Sequence, residues 1–385
     1  MDTHILQNWF DTYKEVSLFG RYITLDHISP LLDLLSLKTE IEQIGFSENN
    51  ASIDLIKLGS GSKKLLFWSQ MHGNESTTTK AVFDLLNFFT DVSNDLAKTI
   101  LKECTIYIIP ILSPDGAKAY TRLNFNQVDL NRDAQQKTQK ESIVFSKLVE
   151  RIQPDFAFNL HGQRTIFSAG ETNYPATVSF LSPASDLERS ITPSRKIAME
   201  IIAKMNTVLQ QFIPNQVGRY DDGFNLNCVG DTLASMGIPT ILFEAGHYSN
   251  DYDREITREY IFYSLIASIE YITTTQITGD RYKDYFSIPE NGKCFYDVII
   301  RDVMLKGENV DIAVQYSEEL IKNSVKFIPK IVKIGDLQKF YGHREIIGKK
   351  RAIYNENVTV EIVPEAMLLK FHLNSELFLI ESTKS

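Results

Sequence analysis

The sequence predicts an α/β fold, a mainly parallel mixed sheet covered by helices on both faces, followed by a small β-rich C-terminal domain. Two observations predict it. Through the first 280 residues, short apolar runs of strand length alternate with segments of helical period, the pattern of a largely parallel sheet. Beyond that point the helical period fades and the charge changes. Lys and Arg number 24 against 34 Asp and Glu in residues 1–280, but 16 against 15 in residues 281–385. The break falls in the polar, turn-rich stretch TTTQITGD at Thr273–Asp280. A chain of 385 residues accommodates two domains, here 1–275 and 281–385.

The elements follow in order. Ser52–Leu58, with GSGS after it, reads as a hairpin arm feeding the next strand. Lys64–Met71 is a compact apolar run, followed by Val82, Leu85, Leu86 and Phe89 at i, i+3, i+4 and i+7. Thr105–Leu112 is a second buried strand, and Phe145, Leu148, Val149 and Ile152 repeat the helical period. Asp155–Leu160 is a third strand, and Ile201, Met205, Val208 and Phe212 mark another helix. Pro239–Phe243 is a fourth strand, with Phe262, Leu265, Ile266 and Ile269 on the helix after it. In the C-terminal hundred residues, Cys294, Tyr296, Val298 and Ile300 alternate, as do Val358, Val360 and Ile362. One helix is expected there, near Ser317–Ser324.

Composition narrows the classes of function. With 43% hydrophobic and 23% charged residues, the chain is an ordinary globular protein able to bury a sizeable core. A net charge of −9 argues against nucleic acid or an anionic membrane surface as a partner. No apolar run reaches the length of a membrane span, and MDTHILQNWF has neither a basic n-region nor an apolar h-region. The three cysteines, Cys104, Cys228 and Cys294, form no CxxC pair and no disulfide framework. A reducing cytoplasm is the expected location.

In an open α/β sheet, ligands bind outside the carboxyl ends of the strands. After the first strand comes His72-Gly-Asn-Glu75, and after the second come Ser113-Pro-Asp-Gly116, Tyr120-Thr-Arg122 and Asp129-Leu-Asn-Arg132. His161 follows the third strand, and Glu244 ends the fourth. His72 and Glu75, three apart at a strand-to-helix turn, can face one point. With His161 they supply two imidazole nitrogens and a carboxylate, a usual set for a catalytic zinc that keeps a position for water. Such a zinc polarises a carbonyl and lowers the pKa of water toward roughly 7. A base is still needed, and Glu244 is the unassigned carboxylate on that edge. Arg122 could stabilise an oxyanion, and Arg132 could clamp a carboxylate through two parallel hydrogen bonds. Taken singly, each residue has a plainer reading. HxxE is a surface histidine beside a helix start, His161 a core histidine, DLNR a turn, and Glu244 a cap. The convergence of all of them on one sheet edge outweighs those readings.

The motifs also resemble a known family. His72-Gly-Asn-Glu75, Ser113-Pro-Asp-Gly116, Tyr120-Thr-Arg122, Val128-Asp-Leu-Asn-Arg132, Asn159-Leu-His161 and Phe243-Glu244 stand in the order seen in zinc carboxypeptidases of the carboxypeptidase A-like type, over roughly residues 20–272. The resemblance implies one Zn2+ per chain on His72, Glu75 and His161, and Glu244 as general base. It further implies Arg122 as carbonyl polariser, and Asn131 with Arg132 as the clamp for a C-terminal carboxylate. The implied substrate is a peptide, or an N-acyl amino acid, with a free carboxylate.

The sequence departs from that family in places. The tyrosine that caps the bound peptide has Tyr220 as its candidate, with Tyr248 and a purely structural role as alternatives. The specificity-setting stretch aligns loosely with Cys228–Thr232. Asp231 there reads first as the N-cap of a helix over Thr232–Met236, and second as a selector of basic side chains. The segment between Arg122 and Asp129 is short. His247 is expected beside the site or at the surface and not as a ligand, and His343 and His372 lack partners at ligand spacing. HGNE and DLNR also resemble deacylases of the aspartoacylase and succinylglutamate desuccinylase type, which makes N-acyl amino acid hydrolysis the alternative reaction. A metal-free peptide-binding protein is the alternative from another class, and the intact set of ligands and base argues against it. The C-terminal domain carries no readable motif; shaping the cleft, self-association and covering a sheet edge all stand open.

Overall fold

The computed structural model describes residues 2–356 and 361–380, so the expected alternation at Val358 and Val360 lies outside the described residues. Ile362, its third member, is buried but belongs to no strand. Helices α1 (Thr3–Tyr13) and α2 (Leu25–Leu35) come first, then β1 (Glu40–Phe46), β2 (Ser52–Gly59) and β3 (Lys63–Ser69). Next are α3 (Thr77–Thr90), α4 (Asp95–Glu103), β4 (Cys104–Ile109), α5 (Pro114–Ala119), α6 (Lys140–Ile152) and β5 (Phe156–Gly162). The first part closes with β6 (Ser168–Ala169), β7 (Val178–Leu181), α7 (Pro193–Leu209), β8 (Val217–Arg219), α8 (Val229–Ser235), β9 (Thr240–Ala245) and α9 (Glu255–Thr274).

Eight of these strands form one sheet in the order β1-β2-β4-β3-β5-β9-β7-β8. The central strands β4, β3, β5 and β9 run parallel, so their carboxyl ends open on one edge. Their continuous apolar runs follow from burial on both faces. In β3, Leu65 and Phe67 enter a core shared with α1, α2, α3, α4, α7 and α9, while Leu66 and Trp68 face α6 and α8. Phe67 stacks on Phe158 of β5 at 4.1 Å, and truncating such a ring to Ala typically costs about 3–5 kcal/mol. The mixed sheet flanked by helices is therefore as expected. One detail differs: β2 pairs with β1 and β4, not with β3. The reason is close packing at the turn. Gly61 lies so near the α4–β4 junction that a Cβ would sit 1.8 Å from the Glu103 carbonyl carbon. The chain passes under that junction, and β4 takes the place beside β2.

After α9 the chain stays against this first unit. Tyr285 is buried in its core, and β10 (Asn291–Gly292) pairs with β6. A six-stranded sheet then begins, comprising β11 (Phe295–Leu305), β12 (Glu308–Ile321), β13 (Ser324–Gly335), β14 (Tyr341–Asn355), β15 (Lys370–Leu373) and β16 (Glu376–Leu379). The helix expected near Ser317–Ser324 is instead the end of β12 and its turn into β13. Lys322 and Asn323 take φ of 49° and 61°, the two left-handed residues of a type I′ hairpin, and Ser317 through Ile321 pair with Ile328 through Ser324. The register of the hairpin overrides the helix-forming Glu-Glu-Leu run. Tyr120, Tyr252, Val325 and Phe327 form a small apolar cluster that joins the two units. No helix among the described residues is long and apolar enough to cross a membrane.

Candidate metal centre and substrate cleft

The site begins where β3 ends. Gln70 adopts φ 43°, and its side-chain amide donates to the carbonyls of Ile23 and Gly73, which fixes the turn. Gly73 is required there, because a Cβ would meet the Gly116 carbonyl carbon at 1.8 Å. The glycines of HGNE and PDG thus mark a backbone-to-backbone approach between the β3 turn and α5. This packing aims His72 and Glu75 at His161, the penultimate residue of β5. His161 is in register with Glu244 on the neighbouring strand β9.

Four residues of that edge are tightly knit. His72 Nδ1 lies 2.8 Å from Glu75 Oε1, and His161 Nδ1 lies 2.9 Å from Glu75 Oε2 and 3.2 Å from His72 Nδ1. Donor atoms of His72, Glu75 and His161 all fall within 4.8 Å of one another, close enough to hold one metal ion. Two imidazoles and one carboxylate suit zinc. The Gly162 amide donates to Glu75 Oε2 at 3.0 Å, and Asp129 Oδ1 lies 3.0 Å from His72 Nε2. With Nδ1 turned to the centre, Nε2–H donates to Asp129, the carboxylate–histidine arrangement that fixes a ligand's tautomer and orientation.

Electrostatics follow from burial and close charge. Burial draws the His72 pKa down, but Glu75, with hydrogen bonds to Asp129 and Glu75, outweighs it and lifts the ring to about 9. Burial holds the His161 imidazole below its ordinary value. Burial also works to raise Glu75 and Asp129, yet His72 and its neighbours keep both carboxyls well below the usual range. At Glu244 the charges of His72, Arg122 and Arg254 are outweighed. Burial and then the Glu75 charge hold its carboxyl well above the ordinary value, and its Oε2 atom has no hydrogen-bond partner.

Around this centre lies a cavity of about 760 Å3. Arg122, which is 45% exposed, reaches over its edge. Its guanidinium binds Asp129 Oδ2 at 3.1 Å and lies 3.4 Å from Glu75 Oε1. Asn131 and Arg132 belong to a single 3-10 turn, Leu130–Arg132, capped by the Asp129 carboxylate. Asn131 Oδ1 accepts from the Val229 amide at 3.0 Å, which ties the turn to α8. Arg132 donates to its neighbour's carbonyl and has no carboxylate partner among the described residues, so a guanidinium edge is left facing the cavity. Tyr220 lines the cavity, edge-on to Phe167 at 5.4 Å, and burial with the Glu244 charge pushes its hydroxyl up to about 12. Tyr248 instead packs against the main core beside Tyr260.

Two local expectations need correction. Asp231 is not an N-cap: α8 starts at Val229 behind Cys228, and the Asp231 carboxylate accepts from the Asn225 amide at 2.8 Å. It sits buried on the cavity wall, where burial pushes it up to about 6. His247 is not at the surface. It is buried between Tyr252 and His343, with neither ring nitrogen hydrogen-bonded. His343 stacks on Phe295 and places Nε2 2.8 Å from the Thr165 carbonyl, and it joins no group of metal-ligating side chains among the described residues.

Other residues of the cleft escaped the sequence reading. Asp129 stood inside a recognised motif, yet only the fold shows that it orients both His72 and Arg122. Arg254 donates to the carbonyls of Ala245 and Gln163, strapping together the ends of β9 and β5 just beyond Glu244 and His161. Its position ahead of α9 gave no local signal.

Comparison with known proteins bears on the fold and on part of this region. Residues 31–151 match the zinc carboxypeptidase (peptidase M14) family, a span that holds His72, Glu75, Arg122, Asn131 and Arg132 but stops before His161 and Glu244. Among solved structures, a metallo-carboxypeptidase from Burkholderia cenocepacia is 15% identical with a TM-score of 0.51, over 64% of this chain and 69% of that one. The carboxypeptidase A of Helicoverpa armigera is 14% identical with a TM-score of 0.51, over 70% of this chain and 79% of that one. Thrombin activatable fibrinolysis inhibitor is 13% identical with a TM-score of 0.53, over 71% and 81% respectively. At these identities the likeness is one of fold. No curated protein matches the chain.

Proposed function

We propose that this chain, zinc carboxypeptidase-like in its fold and in residues 31–151, is a metallocarboxypeptidase that removes a C-terminal residue from a peptide, with hydrolysis of an N-acyl amino acid as the alternative reaction. The observation that carries the reading is the meeting of His72, Glu75 and His161 donor atoms beside Glu244 at adjacent strand ends. A zinc ion held there supplies Lewis acidity to the scissile carbonyl and to water.

The chain's own groups do the rest. Glu244 is half-buried, unpaired at one oxygen and set beside another carboxylate, so it accepts a proton from the attacking water readily. Having gained that proton, it returns it to the leaving nitrogen as the bond breaks. Arg122 presents a partly exposed guanidinium, pinned by Asp129, toward developing negative charge on the carbonyl oxygen. Arg132 takes the substrate's terminal carboxylate, and Asn131 adds an amide donor, since its oxygen is already used by Val229. Tyr220, which lines the same cavity, is the candidate to cover the bound end.

The test is Glu244→Gln in zinc-loaded protein, assayed on peptides with free carboxyl termini. The amide keeps the shape but cannot take the proton, so turnover should fall on the order of 10²–10⁴-fold with the fold unchanged. A variant that keeps more than about a tenth of the wild-type rate would remove Glu244 from the role of base.

A further inference from the structure

Two buried guanidinium groups line the cavity that holds His72, His161 and Glu244, and the proposed reaction uses neither. Arg21 lies just ahead of α2 and is 8% exposed, and Arg254 lies at the start of α9 and is 2% exposed. Their charges are balanced unequally. Arg21 pairs with Glu318 at 3.0 Å. Arg254 donates to the neutral carbonyls of Ala245 and Gln163, at 2.5 and 2.9 Å, and has no ion-pairing carboxylate among the described residues. The nearby Asp251 carboxylate is already taken by the amides of Glu255, Ile256 and Thr257. In both arginines the Nε–H has no acceptor. Burial and then the Arg21 charge draw the Arg254 pKa down to about 10, against the partial pull of Glu318 and Asp251. A charge is costly to bury without a counter-charge, and a bound anion relieves that cost.

The two faces of the main sheet separate this pair from the clamp. Leu130, next to Asn131 and Arg132, shares a core with α6 and α8. Helices α2 and α9, which follow Arg21 and Arg254, pack into the core on the other face. The metal-binding donors stand at the strand ends between the two. A substrate with its carboxylate on Arg132 and its scissile carbonyl at that centre therefore extends its acyl portion toward Arg21 and Arg254.

We infer that Arg21 and Arg254 form a second anion subsite, separate from the Arg132 clamp, which takes a carboxylate on the acyl portion of the substrate or, where the substrate has none, a small free carboxylate. The subsite itself stands on the burial and pairing of the two arginines. Its place on the acyl side rests on the carboxypeptidase reading, which fixes the substrate's direction. A planar guanidinium suits this ligand, because its N–H donors form charge-assisted hydrogen bonds in the plane of a carboxylate.

The experiment uses the zinc-loaded full chain and substrates matched except in charge. One pair is the N-succinyl and N-butanoyl derivatives of a single amino acid; the other is N-acetyl-Glu and N-acetyl-Gln dipeptides with the same last residue. The expected result is a kcat/KM at least about tenfold higher for the charged member of one pair. Arg254→Gln, checked for folding by circular dichroism, should bring that ratio close to one. Acetate, compared with chloride at equal ionic strength, gives a reading independent of turnover. It should raise Tm in wild type and in Arg132→Ala but not in Arg254→Gln. Equal rates within both pairs, with that pattern of acetate stabilisation, assign the subsite to a free anion. Equal rates without acetate stabilisation in wild type and Arg132→Ala overturn it, whether or not Arg254→Gln folds. A charge preference unmoved in folded Arg254→Gln overturns it too. Cleavage of none of the four substrates removes the carboxypeptidase reading, and the acetate measurement alone then decides the subsite.

Discussion

Replacing Asp129 by Asn isolates what one carboxylate contributes to the centre. Asp129 makes three contacts: His72 Nε2 at 3.0 Å, the Arg122 guanidinium at 3.1 Å, and the Asn131 amide at 2.9 Å as the cap of the 130–132 turn. Asn caps a helix about as well as Asp, so the turn should survive with little change in stability. The charge that favours the Nε2–H tautomer and steadies Arg122 is lost. Substitution of such an orienting partner typically costs about 10–100-fold in metal affinity, which is about 1.4–2.7 kcal/mol. Competition of the folded protein against a zinc chelator of known affinity measures this directly. Asp129→Ala adds the lost cap, worth about 1 kcal/mol in thermal stability, and separates the capping role from the orienting one. Zinc affinity within about twofold of wild type in Asp129→Asn would show that His72 needs no help from Asp129, and the orientation argument would be wrong.

Two further outcomes follow from the same structure. Arg132→Ala should cost about 2–5 kcal/mol in kcat/KM on peptides with free C-termini, with zinc content unchanged. Amidated peptides should be poor substrates throughout, and equal cleavage of amidated and free peptides by wild type would refute the clamp. Stability should also fall on acidification, through the half-buried His343. Its folded pKa is depressed to about 4 against about 6.5 unfolded, so the unfolded chain binds the extra proton and stability is lost as pH drops between those values. The loss from pH 7 to 5 should be about 2 kcal/mol, and His343→Gln should remove that part of the slope in denaturant titrations.

The parts of the molecule legible in the sequence were those whose local pattern and environment coincide. The strands β3, β4, β5 and β9 are buried on both faces, so their apolar runs are unbroken. Helices α3, α6, α7 and α9 bury residues at helical spacing. β7 and β8 span only four and three residues, too short for a period to declare itself. The end of β12 misled because Glu-Glu-Leu favours a helix, whereas its hairpin partner decides its state. At the site, His72, Glu75, His161 and Glu244 were visible because each follows a recognisable strand. The tie from Asp129 to His72 spans 57 residues, and the bond from Gln315 to Thr165 spans 150. Nothing local announces contacts that form only when distant segments dock.

Zinc content across three proteins tests whether His72, Glu75 and His161 hold the metal. Wild type, Glu244→Gln and His161→Ala would be purified alike, and bound metal measured by elemental analysis with native mass spectrometry. Wild type and Glu244→Gln should each carry one zinc per chain, and His161→Ala should lose it sharply, because removing one of three protein ligands leaves only His72 and Glu75. A full equivalent of zinc retained by folded His161→Ala would contradict this ligand set, since the metal would then sit somewhere other than at the ends of β3 and β5.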